Sequence, residues 1–207
     1  MSRYGMVIDT RRCIGCHSCS VACKIANNLP EGNWWNRILT VGGPTMDTAS
    51  GEFPNNEMEF VPLNCQHCEN PACVKVCPVG ATYKDPETGV VSQDYDKCIG
   101  CRMCMSACHY TGVRSFNWEE PKYSVDHAVG DFDVPPHQKH VVEKCTFCYQ
   151  RVARNEKPAC MELCPGRARY WGDFDDPESE VSQLIRDREY MQLLPEMGTN
   201  PSTYYLV

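Results

Sequence analysis

The stretches Asp9 to Cys23, DTRRCIGCHSCSVAC, and Asp94 to Cys108, DYDKCIGCRMCMSAC, align without a gap. Each holds four cysteines spaced Cys-x2-Cys-x2-Cys-x3-Cys, so the chain contains an internal repeat built around thiols. A second pair of stretches echo each other: Pro71-Ala72-Cys73 followed by Cys77-Pro78, and Pro158-Ala159-Cys160 followed by Cys164-Pro165. The two types alternate A, B, A, B. All sixteen cysteines fall into these four groups, namely Cys13, Cys16, Cys19, Cys23; Cys65, Cys68, Cys73, Cys77; Cys98, Cys101, Cys104, Cys108; and Cys145, Cys148, Cys160, Cys164. No thiol is left over.

Three chemistries compete for such groups. Disulfides suit short secreted chains that cannot build a core, whereas this chain has 207 residues and opens without a secretory signal. Cys13, Cys16 and Cys19 are also crowded for disulfide geometry. Zinc uses two facing Cys-x2-Cys pairs, and the fourth group alone could pass for a zinc ribbon. The A-type spacing instead offers three thiolates to one centre and points the fourth elsewhere, which is the iron-sulfur pattern in which the last cysteine of a run serves the neighbouring cluster. Four such groups predict four metal clusters. The spacing leaves two arrangements open, groups paired with their neighbours or nested first with fourth and second with third.

Local residues agree with cluster binding. Gly15 and Gly100 occupy the same place in the A-type loops, where a missing side chain lets the backbone turn its N–H groups toward sulfur. Pro78 and Pro165 fix the chain direction after the last cysteine of the B-type groups. Lys24 and His109 stand where the A-type groups would otherwise end in Pro, and His109 is read as a tolerated turn residue. Lys24, Lys75, Arg102 and Arg167 lie beside cysteines, where positive charge would favour a reduced cluster or meet an acidic partner surface. Trp34, Trp35, Trp118 and Trp171 are read as packing groups.

Around the loops the pattern is α+β, with short strands and short helices in two ferredoxin-like dicluster modules. Strands are expected at Tyr4 to Asp9, Thr82 to Lys84, Val90 to Ser92, Val113 to Asn117, Lys139 to Glu143 and Ala168 to Gly172. Asp85-Pro86-Glu87-Thr88-Gly89 reads as a hairpin turn. Helices are expected from Ser20 to Asn27 and after Asp176-Pro177-Glu178, with Asp176 as N-cap and Val181, Leu184 and Ile185 on one face. Residues 40–56 and 119–138, rich in Gly and Pro, read as loop insertions. The tail from Met191 reads as an extended arm whose Tyr204-Tyr205-Leu206 would hook a neighbouring subunit.

The net charge of −7 is spread along the chain without a basic run, which disfavours nucleic acid as a partner. No run of about eighteen apolar residues exists to span a membrane directly. Arg11-Arg12 is not followed by an apolar stretch, so it is not read as a twin-arginine signal. Apolar residues make up 42% of the chain, but without the cysteines only about a third, so the core is thin and clusters are expected to act as folding nuclei. No phosphate loop, dinucleotide fingerprint, zinc-protease motif or nucleophile elbow is present, and every thiol is committed. The chain is expected to conduct electrons rather than to catalyse.

From Tyr4 to Leu206 the sequence resembles the four-cluster ferredoxin-like electron-transfer subunit of the molybdopterin oxidoreductases. That family includes the dimethyl sulfoxide, polysulfide or thiosulfate, tetrathionate and respiratory arsenate reductases and an aromatic hydroxytransferase. The resemblance rests on the four groups, on Tyr4-Gly5-Met6-Val7-Ile8-Asp9, on Arg114-Ser115-Phe116-Asn117-Trp118 and on Gly198-Thr199-Asn200-Pro201-Ser202. It implies the nested arrangement, with Cys13, Cys16, Cys19 and Cys164 on one cluster and Cys145, Cys148, Cys160 and Cys23 on its neighbour. Cys65, Cys68, Cys73 and Cys108 would hold the third, and Cys98, Cys101, Cys104 and Cys77 the fourth, all four being 4Fe-4S clusters. Residues 1–40 with 139–188 would then form one module and 57–118 the other, with 119–138 inserted and 189–207 as the arm. The resemblance further implies a large catalytic subunit holding molybdopterin with molybdenum or tungsten nearest the first-group cluster. A quinol or membrane anchor subunit, or another redox partner, would sit nearest the third-group cluster, in anaerobic reductive metabolism. A hydrogenase or formate dehydrogenase is the alternative engine. A soluble subunit of this kind would stay in the cytoplasm or be exported folded beside a signal-bearing partner.

Overall fold

Met6, Val7 and Ile8 are almost wholly buried because β1, Tyr4–Asp9, runs between two strands from the far end of the chain. The computed structural model describes residues 2–207. After β1 and a 3-10 turn at Thr10–Arg12 come α1 (Ser18–Ala26), β2 (Asn36–Val41), β3 (Glu59–Asn64) and α2 (Ala72–Lys75). The middle of the chain contributes β4 (Thr82–Lys84), β5 (Val91–Gln93), α3 (Met103–Ser106), β6 (Arg114–Phe116) and β7 (Val142–Lys144). The last third adds α4 (Tyr149–Ala153), α5 (Ala159–Glu162), β8 (Arg169–Asp173), α6 (Glu180–Asp187), β9 (Tyr190–Met191) and β10 (Thr203–Leu206).

The largest sheet has the order β8–β1–β10–β9. β1 is antiparallel to β8, from Tyr4 opposite Asp173 to Ile8 opposite Arg169, and parallel to β10, from Met6 opposite Thr203 to Asp9 opposite Leu206. Alternation along these strands sorts the side chains by face. Val7, Tyr204 and Leu206 pack with Val181 of α6, whose Leu184 and Ile185 lie against them. Met6, Ile8 and Tyr205 face the other way, into a core that also contains Cys19, Cys23, Cys65, Cys145 and Cys160. Strand order thus puts an apolar layer behind the cysteines.

Three hairpins complete the frame: β2–β3, β4–β5 and β6–β7. Asn36 opposes Asn64 in the first, and Arg114 opposes Lys144 in the third, so these two hairpins occupy equivalent places in the repeat. Among the described residues no helix is long and apolar enough to cross a membrane.

The strands expected at Tyr4, Thr82, Val113 and Ala168 are present within a residue at their starts, and those expected at Val90 and Lys139 begin at Val91 and Val142. Residues 42–56 form no helix or strand beyond an isolated bridge, in keeping with the loop expected at 40–56, and they are the tip of the β2–β3 hairpin, whose β2 takes in Thr40 and Val41. Two expectations are corrected. The final helix starts later, capped by Ser179, whose Oγ accepts from Ser182 N; Asp176 instead accepts from Glu178 N in the preceding turn. The Tyr204-Tyr205-Leu206 end of the tail is spent within the chain's own sheet: β10 lies between β1 and β9, Tyr205 is fully buried, and its hydroxyl donates to Pro62 O at 2.8 Å. Local sequence cannot tell an in-chain strand partner from one on another subunit.

Candidate metal centres

Each cysteine loop contains a residue in the left-handed backbone region. In the A-type loops Gly15 and Gly100 share φ +68°, and His17 and Arg102, two residues on, lie at 59° and 60°. In the B-type loops His67 and Phe147 lie at 43° and 56°. Non-glycine residues pay roughly 1–2 kcal/mol to sit there, a cost repeated at matching positions, so the sequence repeat is also a backbone repeat. The turns aim N–H groups at sulfur: Thr82 N at Cys77, Phe147 N at Cys145 and Ala168 N at Cys164, each at 3.4 Å. Burial tends to raise the Cys77 thiol, yet the N–H groups of Thr82, Val79, Ala81 and Gly80 pull it below its ordinary value.

One hollow is lined by Cys13, Cys16 and Cys19 together with Cys164 from the far end of the chain, walled by Ile38, Pro62 and Arg169. Its counterpart is lined by Cys98, Cys101 and Cys104 with Cys77, walled by Ala81, Thr82 and Val142. Cys23 lies away from its own loop, because α1 carries it inward. Burial pushes its thiol well up, and Cys148, Cys145 and Cys160 push it further. Cys68 is pushed up to about 12 by burial, then by Cys65, Cys73 and Cys108. Cys108 is pushed up to about 11 by burial, then by Cys65 and, less, by Cys73. The thiols therefore gather as Cys13, Cys16, Cys19, Cys164; Cys23, Cys145, Cys148, Cys160; Cys65, Cys68, Cys73, Cys108; and Cys77, Cys98, Cys101, Cys104.

The sets also follow one another in series, near enough for a thiol of one to act electrostatically on a thiol of the next. Cys19 acts on Cys160, Cys65 on Cys145, and Cys73 on Cys104. The Cys145 set is buried throughout and the Cys65 set has no exposed member, while the outer two reach the surface at Cys16 and Cys101, beside the exposed Ile14 and Ile99. Among the described residues no three His, Cys, Asp or Glu side chains form a site for a single metal ion. Four thiols around a hollow, with N–H donors directed at sulfur and apolar walls, fit a multi-iron group, because thiolates are the ligands of such clusters and hydrogen bonds to sulfur tune them.

The cations beside the cysteines in sequence stand outside these sets. Lys75, Arg102 and Arg167 are exposed, Arg102 lying over the Trp118 ring at 4.4 Å. Lys24 donates to Pro30 O and Asn33 O at 2.8 and 3.2 Å and lies over Trp34. Two of the four tryptophans pack inside, Trp35 being buried and Trp171 stacked on Tyr4 and edge-on to Phe147, whereas Trp34 and Trp118 are exposed. Among the described residues the buried arginine and lysine side chains are three that sequence spacing does not single out, Arg114, Lys144 and Arg169. Arg169 and Arg114 follow the last cysteine of a group by five and six residues, outside the loop itself, and Lys144, directly before Cys145, resembles an ordinary strand-end charge.

Residues 56–125 and 132–174 match a family described as "4Fe-4S dicluster domain", and residues 12–81 match a second family of the same description. A Halobacterium salinarum protein assigned as an iron-sulfur subunit of a dimethyl sulfoxide reductase is 52% identical, over all of this chain and 79% of its own. The arsenate respiratory reductase iron-sulfur subunit of a Shewanella species is 40% identical, over 99% of this chain and 96% of its own. A sulfite dehydrogenase subunit of Allochromatium vinosum is 40% identical, over 100% and 83%.

Proposed function

The chain belongs to the iron-sulfur subunits of molybdopterin oxidoreductases, and from that premise we propose that its four sets of thiols form one linear electron relay. It is an electron-transfer subunit carrying four 4Fe-4S clusters, and it is not itself a catalyst. In the proposed assignment Cys13, Cys16, Cys19 and Cys164 hold the first cluster and Cys145, Cys148, Cys160 and Cys23 the second. Cys65, Cys68, Cys73 and Cys108 hold the third, and Cys98, Cys101, Cys104 and Cys77 the last. Bound there, each cluster would supply one-electron transfer, and the four thiolates of its set would be committed to holding it.

The observation that carries the reading is the serial proximity of Cys19 to Cys160, Cys145 to Cys65 and Cys73 to Cys104. It supports a line with two ends rather than a ring. The protein's part is to hold the thiols, to donate N–H groups to their sulfurs and to keep water from the inner sets with Trp35, Phe147 and Tyr205, all buried. The exposed Cys16 and Cys101 ends suit two redox partners. We assign the first to a large molybdopterin subunit with molybdenum or tungsten, and the second to a membrane anchor or other electron partner. The relatives' names cover arsenate, selenate and sulfite chemistry, which agrees with the substrate being chosen in the catalytic partner.

Anaerobic purification with the partner tests this. About sixteen irons per chain and a co-purifying large subunit bearing molybdenum or tungsten are expected. About twelve irons, or zinc in place of iron, would overturn the cluster assignment, and a nickel-bearing partner would overturn the molybdopterin one.

A further inference from the structure

Arg169, at the start of β8, is 3% exposed and reaches two sets at once. Nη2 donates to Cys19 Sγ at 3.6 Å and Nη1 to Cys160 Sγ at 3.8 Å, while Asn36 Oδ1 at 2.7 Å and Asn64 Oδ1 at 3.3 Å hold the fork in place. Arg114, 4% exposed, is held through Nη1 by Gln93 Oε1 at 3.3 Å and has Cys73, Cys65 and Cys104 around it. Its Nη2 is buried with no nitrogen or oxygen partner. Lys144, 1% exposed, donates to Val91 O and Cys145 O and has both Cys65 and Cys145 beside it. Each gap in the line of sets thus contains one buried cation: Arg169 between the first and second, Lys144 between the second and third, Arg114 between the third and last.

Among the described residues none of the three pairs with a carboxylate. A buried charge without a counter-ion costs several kcal/mol, so the anion must come from somewhere else, and the groups that face all three cations are the thiol sets. The repeat makes the same point. Position by position, Arg169 corresponds to Thr82, Arg114 to Asn36 and Lys144 to Asn64. At each equivalent position one half of the repeat carries a cation and the other a neutral side chain.

We propose that Arg169, Lys144 and Arg114 are the positioning charges of the relay, each raising the reduction potential of the two clusters it separates. Burial makes a cluster harder to reduce, because reduction adds negative charge in a medium that solvates it poorly. The inner sets are the most buried, and each faces two of the three cations, while each outer set faces one. The cations therefore offset burial where it is greatest and keep the middle of the line from becoming a barrier. This inference rests on the cluster assignment proposed above, but its test is separate.

The test is a redox titration of the holoprotein followed by electron paramagnetic resonance, with signals assigned by serine substitution of one cysteine per set. Arg169→Gln should lower the potentials of the Cys13 and Cys145 sets and leave the other two, and Arg114→Gln should do the reverse. Each shift should reach at least a tenfold change in the reduction equilibrium, about 59 mV for one electron. Full iron with unmoved potentials, or an equal shift at all four centres, overturns the inference and leaves the relay standing. A wild-type protein without iron overturns the relay itself. If a Gln variant loses iron, Arg169→Lys and Arg114→Lys decide: potentials held near wild type support a charge effect, and a tenfold fall in the reduction equilibrium overturns it.

Discussion

A Cβ on Gly100 would stand 2.5 Å from His140 O, with the backbone at φ +68°. Both faults fall inside the loop that carries Cys98, Cys101 and Cys104. Gly100→Ala is therefore expected to cost about 1–3 kcal/mol and to lower iron content by one cluster, read by metal analysis and thermal unfolding. Cys23 makes a second case, because its run suggests one site and its position suggests another. Its neighbours are Cys145, Cys148 and Cys160, and Asn27 Nδ2 reaches both Cys23 Sγ and Cys148 Sγ at 3.7 and 3.8 Å. Cys23→Ser should disturb the spectrum of the Cys145 set and spare that of the Cys13 set; the opposite pattern would refute the nested assignment. The thiol pattern is legible in the sequence because ligand spacing is local chemistry. Arg169 and Arg114 are not, because they reach the sulfurs through a sheet register and a hairpin that spacing does not encode, while the adjacent Lys75, Arg102 and Arg167 point to solvent.

At the scale of elements, residues 119–138 form no helix or strand, as their Gly and Pro content predicts, yet one end of the loop is pinned by a buried network that the sequence does not disclose. His137 Nδ1 meets Glu143 Oε1 at 2.7 Å and Nε2 meets Asn27 O at 2.9 Å, so both ring nitrogens face acceptors and the imidazolium satisfies both. Burial tends to lower the His137 pKa, but Glu143 and the Asn27 carbonyl raise it above its ordinary value. A histidine that binds its proton more tightly when folded stabilises fully below its unfolded value of about 6.5 and loses that contribution as pH rises through the raised one. The stability advantage of wild type over His137→Gln should therefore shrink between pH 6 and alkaline pH, by at most about 1.4 kcal/mol per pH unit. Tm measured for both proteins across that range checks it, and a constant difference would contradict it. Nothing local marks His137, since its partners sit on β7 and at the end of α1. Strands such as β1 and β4, by contrast, announce themselves through alternation and a turn signal.

For the whole molecule, the thin apolar share read from composition becomes a core in which five cysteines stand among the buried residues around Met6, Ile8, Trp35 and Tyr205. The sheet behind them is closed by β10 against β1, a pairing of opposite chain ends that no local signal reveals. Sheet and thiol sets share Arg169, which is in β8 and donates to Cys19 and Cys160, so the sheet has no interior independent of the sets. Without bound iron, the buried thiols are pushed up by burial and by one another, Cys160 to about 12, and would fill the centre of the protein as uncharged groups around hollows. The buried cations would then face no anion. Both changes act in the same direction, so ligand binding free energy is folding free energy here. Anaerobic removal of iron with a chelator should unfold the sheet together with the loops. The radius of gyration should rise from about 17 Å, as expected for a folded chain of this length, toward about 49 Å, with loss of circular dichroism in the same step. An iron-free protein that stays compact and keeps its native dichroism would show that the polypeptide core suffices alone.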